Sequence, residues 1–328
     1  MTDATPPSRS RHLLAPELAA GLERFPNVDF SHGVAPFRGG GRLENFGGEL
    51  PEALTAISCE ERFVPGPAGA PDVRLLLYTP PAPAARPCPV LFHVHGGGFV
   101  LGDPELSDPL NRAWALELGL TVVSVDYRLA PETRWPGAVE DCYAALTWLV
   151  DNAAELGVEP ARIAVGGESA GGGHAAALAL LARERGGPAI AFLLLDSPML
   201  DDRTGSTHAP HPYTGEFVWT PESNRFGWGA LLGVEPGSAE VPAAAVPARA
   251  ETLKGLPPTF LSVGSLDLFL EEDLEFARRL ARDGVPCELH VIPGAYHGFG
   301  VAGDSPQLRL TSELRRRALA RALGIEGG

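Results

Sequence analysis

Basic residues are in short supply in this chain: 26 lysines and arginines face 41 aspartates and glutamates, for a formal net charge of −15. Nucleic acid and anionic membrane both attract basic surfaces, so neither is an expected partner. Cysteine is scarce as well, with only Cys59, Cys88, Cys142 and Cys287. No two of them form a C-x-x-C pair, and none has metal-ligand spacing with histidine, so they read as free thiols behaving as small apolar side chains. No apolar run approaches the roughly 20 residues of a membrane span. Residues 1–14 are polar and lack the apolar stretch of a signal peptide, which makes a cytoplasmic location the expectation. There is no internal repeat.

What is present is the composition of an ordinary globular protein. Of 328 residues, 45% are hydrophobic and 20% charged, and a chain of this length buries enough apolar surface to need no staples. Residues 1–10 read as disordered and 16–25 as a short helix, with Leu18 and Leu22 four apart. Residues 26–50 are rich in glycine and aromatics (Phe30, Phe37, Phe46) and have no clear period. Strand patterns at 57–63 and 73–78 flank a Pro/Gly turn cluster. An alternation then begins: strands at 90–94, 121–125, 163–165, 190–195, 259–263 and 288–291, with helices at 112–118, 138–152, 273–282 and 307–323 and another after Ser169. Continuous apolar strands alternating with helices predict an α/β fold, a mostly parallel sheet covered on both faces. Residues 200–235 break the alternation with Phe217, Trp219, Phe226 and Trp228 close together. The expected organisation is a core of residues 51–199 and 236–328, capped by residues 1–50 and 200–235.

The chain is organised around Gly167-Glu168-Ser169-Ala170-Gly171, which fits G-x-S-x-G between a short apolar strand and an Ala/Leu-rich helix. A serine on so sharp a strand-to-helix turn is held clear of the sheet, and its flanking glycines let neighbouring backbone approach closely. The helix that follows aims its free N–H groups and positive dipole end at charge developing beside the serine.

A serine hydroxyl needs a base within hydrogen-bond reach and N–H donors for an oxyanion. In a doubly wound sheet such groups gather at the carboxyl ends of the strands. His297, in the loop after the 288–291 strand, is the one histidine so placed. His93 and His290 lie within strands, His174 lies in the helix after Ser169, and His208 and His211 sit among prolines. Asp267, just past the 259–263 strand, is the orienting acid, with Glu271 in reserve. Glu271, Glu272 and Asp273 are otherwise accounted for as carboxylates at a helix N-terminus. His95-Gly96-Gly97-Gly98 follows another strand, so the N–H groups of Gly97, Gly98 and Ala170 are the expected oxyanion hole. His95 itself is expected to shape that loop.

HGGG at 95–98, DYRLAPE at 126–132, GESAGG at 167–172, Asp267 and His297, in that order, resemble the hormone-sensitive-lipase-type (HGGG) carboxylesterases of the α/β-hydrolase superfamily. The resemblance spans about residue 50 to the C-terminus. Glu168 stands where many relatives carry aspartate, and Leu268 stands where Asp-Pro is frequent. The resemblance implies hydrolysis of small-molecule esters through an acyl-enzyme, an N-terminal helical cap and often a homodimer. That chemistry requires no metal or cofactor. The aromatic cap, with Phe217 and Trp219 as substrate-binding residues, implies an apolar pocket for short to medium acyl chains. Two other readings stay open. One is a non-catalytic receptor on the same scaffold, as in the plant gibberellin receptors, which lack the catalytic histidine that His297 supplies here. The other is an amidase or peptidase with the same triad.

Overall fold

The computed structural model describes residues 8–25, 27–38 and 50–325. Phe46 and the first seven of the residues expected to be disordered lie outside them. Eight strands form one sheet: β1 (Ser58–Val64), β2 (Val73–Thr79), β3 (Cys88–Val94), β4 (Thr121–Asp126), β5 (Val158–Glu168), β6 (Phe192–Asp196), β7 (Thr259–Gly264) and β8 (Cys287–Ile292). Their spatial order is β1-β2-β4-β3-β5-β6-β7-β8. The β1–β2 and β2–β4 pairs are antiparallel and all others parallel.

The helices are α1 (Ala19–Arg24), α2 (Asp108–Leu118), α3 (Gly137–Asp151), α4 (Ala153–Leu156), α5 (Ala170–Arg185), α6 (Pro221–Leu232), α7 (Leu270–Arg282) and α8 (Pro306–Ala322). Every residue of β3 and of β7 is buried, as expected of parallel strands covered on both faces. The two-residue alternation divides them. Val90, Phe92 and Val94 join Leu146, Ala176 and Phe276 in the core under α3, α5 and α7. Leu91 instead joins Trp114, Leu118 and Leu319 under α2 and α8.

β5 extends beyond the apolar run at both ends; at its carboxyl end Gly166 and Gly167 continue the ladder, pairing with His93 and Val94 on β3 and with Leu194 and Leu195 on β6. The chain leaves β3 toward β4 on one side and β5 toward β6 on the other. The strand order therefore reverses between β3 and β5, and a crevice opens at their carboxyl ends. Ser169 and the glycine loop 96–98 both emerge there.

The turn at Ser169 is as tight as G-x-S-x-G requires. Ser169 has φ 56° and ψ −123°, a region a non-glycine residue occupies at a cost of about 1–3 kcal/mol. A Cβ on Gly167 would run into the Val94 carbonyl oxygen and the Gly171 backbone. One on Gly171 would run into the carbonyls of Val94 and His95. These are backbone obstacles that no rotamer change relieves. Gly171→Ala should therefore cost about 2 kcal/mol or more and sharply reduce activity, as read by thermal melts and ester turnover. A variant that melts and turns over like the parent would show that the elbow has room to spare.

The two segments outside the alternation are joined to each other. The amide of Val218 donates to Asn27 Oδ1 at 2.6 Å, and Ser223 Oγ donates to the Val28 carbonyl at 2.8 Å. Phe30 stacks on Phe226 at 4.5 Å with an interplanar angle of 7° and lies edge-on to Phe37 and Trp219. Leu18, at the start of α1, is fully buried, and its carbonyl accepts from Tyr296 Oη at 3.1 Å.

Candidate active site

Three chain-distant side chains meet at the crevice. Ser169 Oγ lies 2.9 Å from His297 Nε2, and His297 Nδ1 lies 2.9 Å from Asp267 Oδ2. The second Asp267 oxygen accepts from the Phe269 amide at 3.0 Å. Asp267 is fully buried and His297 nearly so. The imidazole is held from both sides, edge-on to Phe269 at 5.0 Å and tilted against Trp219 at 6.3 Å. Glu271, the reserve acid, sits exposed on α7 and has no bond to His297.

Gly97 and Gly98 have φ of 128° and 62°, so this loop adopts a course that side-chain-bearing residues resist. Among the described residues, no backbone acceptor takes the N–H of Gly97, Gly98 or Ala170. Ala170 opens α5, where the first N–H groups lack intrahelical partners and the dipole favours negative charge. The Trp219 indole occupies the space a Cβ on Gly98 would need.

The DYRLAPE segment braces this loop. Tyr127 stacks on the His95 ring at 4.3 Å and donates its hydroxyl to the His95 carbonyl at 2.8 Å. The Ala130 amide donates to the Phe99 carbonyl at 3.0 Å. Arg128 forms a two-point pair with the buried Asp141. His95 Nδ1 lies 2.8 Å from the Gly96 carbonyl oxygen, and burial lowers its pKa to about 4. His174, packed against Phe99 and Tyr127, falls to about 3, mainly through burial and then through nearby His95. Both rings are therefore neutral at working pH and serve as packing.

The structure separates the two aromatic residues expected to line the site. Trp219 lies against Gly98 and His297, whereas Phe217 packs edge-on to Tyr296 in the neighbouring cluster with Leu18, Leu266 and Ile292. The intervening Val218 has φ 62°, and the chain changes direction there. Phe269 and Met199 were missed by sequence reasoning. The Met199 amide donates to the Ser169 carbonyl at 2.9 Å, a contact that no local pattern announces.

The α7 carboxylates also need correction. Only Glu271 is exposed; Glu272 and Asp273 turn inward. Glu272 Oε1 accepts from the amides of Leu200 and Asp201 at 2.7 and 3.2 Å. Asp273 is fully buried with neither oxygen partnered. Burial above all, then the charges of Glu272, Asp267 and Asp196, pushes its pKa well above the usual range.

The chain belongs to the α/β-hydrolase family: the family model describing an alpha/beta hydrolase fold matches residues 91–301. Within that family it is a carboxylesterase of the hormone-sensitive-lipase type. It is 38% identical to carboxylesterase NlhH of Mycobacterium tuberculosis over 303 residues, 90% of this chain and 91% of that one. It is also 38% identical to esterase LipI of the same organism over 249 residues, 74% and 75% of the two chains. Among solved structures, a bacterial heroin esterase superposes with a TM-score of 0.87 at 40% identity, covering 95% of this chain and 98% of that one.

Two outcomes follow from this geometry. Asp267→Asn should abolish most turnover while Glu271→Gln leaves it nearly intact, because only Asp267 reaches His297; steady-state kinetics showing the reverse ranking would move the acid to α7. Asp273→Asn should raise the melting temperature. The Asp273 carboxyl holds its proton to higher pH when folded than when unfolded, where it ionises above roughly pH 3.9, so its cost grows as pH rises. The gain should be small at pH 4 and larger at pH 8, and a variant less stable than the parent at pH 8 would contradict it.

Proposed function

We propose that Ser169, His297 and Asp267 are the catalytic residues of this serine carboxylesterase and act through an acyl-enzyme. The observation that carries the proposal is the unbroken relay from Ser169 Oγ through the imidazole to Asp267, with 2.9 Å at each step. His297 Nε2 takes the serine proton as Oγ attacks the ester carbonyl. Nδ1–H stays on Asp267, which fixes the tautomer and stabilises the imidazolium. The N–H groups of Gly97, Gly98 and Ala170 receive the oxyanion, a contribution of about 10²–10³ in rate for each donor lost. His297 then returns the proton to the leaving alkoxide, and a water activated by the same imidazole frees the acid.

Residues 1–50 and 200–235 act as a cap over a core of 51–199 and 236–328. Supporting this are the Asn27–Val218 and Val28–Ser223 bonds and the Phe30, Phe226 and Trp219 cluster above Gly98. So dense an aromatic cover favours short to medium acyl chains. The relatives above, a carboxylesterase, an esterase and a heroin esterase, support a small-molecule ester as substrate. All four cysteines are free thiols, which suits a reducing cytoplasm, and no described helix is long and apolar enough to cross a membrane. A homodimer is the expected assembly, with β8, the last strand in the sheet order, as the edge available for it.

A panel of p-nitrophenyl esters run beside Ser169→Ala tests the reading. Acetate through hexanoate should be hydrolysed well and palmitate poorly, and the alanine variant should lose a factor on the order of 10⁴ or more. A preference for palmitate would refute the short pocket, and a fully active Ser169→Ala preparation would refute the nucleophile.

A further inference from the structure

Behind the nucleophile turn, on the face of the sheet covered by α2 and α8, lies a cluster of charges that the relay above does not use. Glu168 and Asp196 are register partners at the ends of the parallel strands β5 and β6, so they sit side by side about 4.8 Å apart across the ladder. Like charges on neighbouring strand ends in a partly enclosed site call for a counter-charge. Among the described residues, an arginine faces them. Arg315 on α8 is only 6% exposed, and its Nη1 donates to Asp196 Oδ2 at 2.7 Å. Ser262 Oγ on β7 donates to the other Asp196 oxygen at 2.7 Å.

On the far side, His93 Nε2 lies 3.1 Å from Glu168 Oε2, and its Nδ1 lies 3.1 Å from Ser124 Oγ and 3.4 Å from Asn111 Nδ2. Burial alone would raise the Glu168 carboxyl. The neighbouring His93, and then Arg315, outweigh it and hold the pKa below the usual glutamate range.

Both carboxylates belong to residues that seat Ser169. Glu168 is its chain neighbour, and the Asp196 carbonyl accepts the Ser169 amide at 2.9 Å. We propose that Arg315 is a positioning residue for the nucleophile: by neutralising the Asp196–Glu168 pair it keeps the ends of β5 and β6 together, and so keeps the strained Ser169 aligned with His297. The pair serves more than stability, since a buried ion pair by itself is weak evidence for that. What distinguishes it is the hydrogen bond that the Ser169 amide donates directly to the Asp196 carbonyl. Removing Arg315 leaves the two carboxylates without the guanidinium that faces them, so that the strand ends part and Oγ is displaced. Displacement on the order of 1 Å costs up to about 10²-fold in rate. Ground-state contacts at the cap are untouched.

This inference rests on Ser169 being the nucleophile, so the test separates the two. Arg315→Met, Arg315→Lys, Asp196→Asn and the double variant Arg315→Met with Asp196→Asn are each titrated with a fluorophosphonate, and kcat and KM for p-nitrophenyl butyrate are expressed per titrated site. Arg315→Met should lose about tenfold or more in kcat with KM within about twofold. Arg315→Lys should be intermediate. Asp196→Asn alone should be mild, and adding it to Arg315→Met should restore most of the loss. Wild-type kcat per site in Arg315→Met, or a loss that Asp196→Asn fails to relieve, would overturn the proposal. If Arg315→Met yields no folded protein, Arg315→Lys decides alike: reduced kcat at constant KM supports positioning, and unchanged kcat refutes it. Parent enzyme left unlabelled at Ser169 would instead overturn the nucleophile assignment.

Discussion

Everything in the site depends on how closely two strand ends approach one another. β3 and β5 lie side by side where the sheet reverses its order, and the backbone leaving β5 must turn into α5 directly against the carbonyls of Val94 and His95. Only glycine fits at 167 and 171, and only a strained Ser169 closes the turn. That single constraint starts α5 at Ala170, whose N–H, like those of Gly97 and Gly98, takes no backbone acceptor among the described residues. The strain is affordable because the surrounding ladders over-determine the conformation. Ser169 is bonded at its N–H to Asp196 and at its carbonyl to Met199 and Gly173.

Around this turn the protein builds rigidity in layers. Tyr127 and His95 stiffen the glycine loop from below, and Trp219 closes it from above. Phe269 and Trp219 hold the imidazole in the plane that joins Asp267 to Ser169. A fixed array of dipoles and N–H groups requires little reorganisation when charge develops, and such preorganisation is the largest source of rate in acyl transfer. The burial of Asp267 belongs to the same scheme, because its charge acts on His297 with little competition from water.

Much of this was legible in the sequence, for a physical reason. Strand-then-helix alternation and G-x-S-x-G are local signals: each lies within a dozen residues and reflects a backbone that must behave one way. Fold class, both glycine turns and the loop position of His297 could therefore be read directly. What escaped were contacts between residues far apart in the chain. Arg315 meets Asp196 across 119 positions, and nothing in the α8 pattern distinguishes that arginine from its neighbours Arg316 and Arg317. Glu272 and Asp273 resemble ordinary helix-start carboxylates until α7 is docked, and then its rotation turns them inward. Phe217 and Trp219 are two apart, and the positive φ of Val218 between them sends them to different clusters. Composition alone groups them together.

The central claim is that an acyl group passes through Ser169. Rapid quenching of the enzyme with p-nitrophenyl butyrate, followed by intact-mass measurement and peptide mapping, tests it most directly. The account predicts one butyryl group per chain, on the peptide containing Ser169, formed before steady-state release of acid begins. Turnover with no adduct at any quench time under conditions where deacylation limits the rate, or an adduct on another residue, would contradict it.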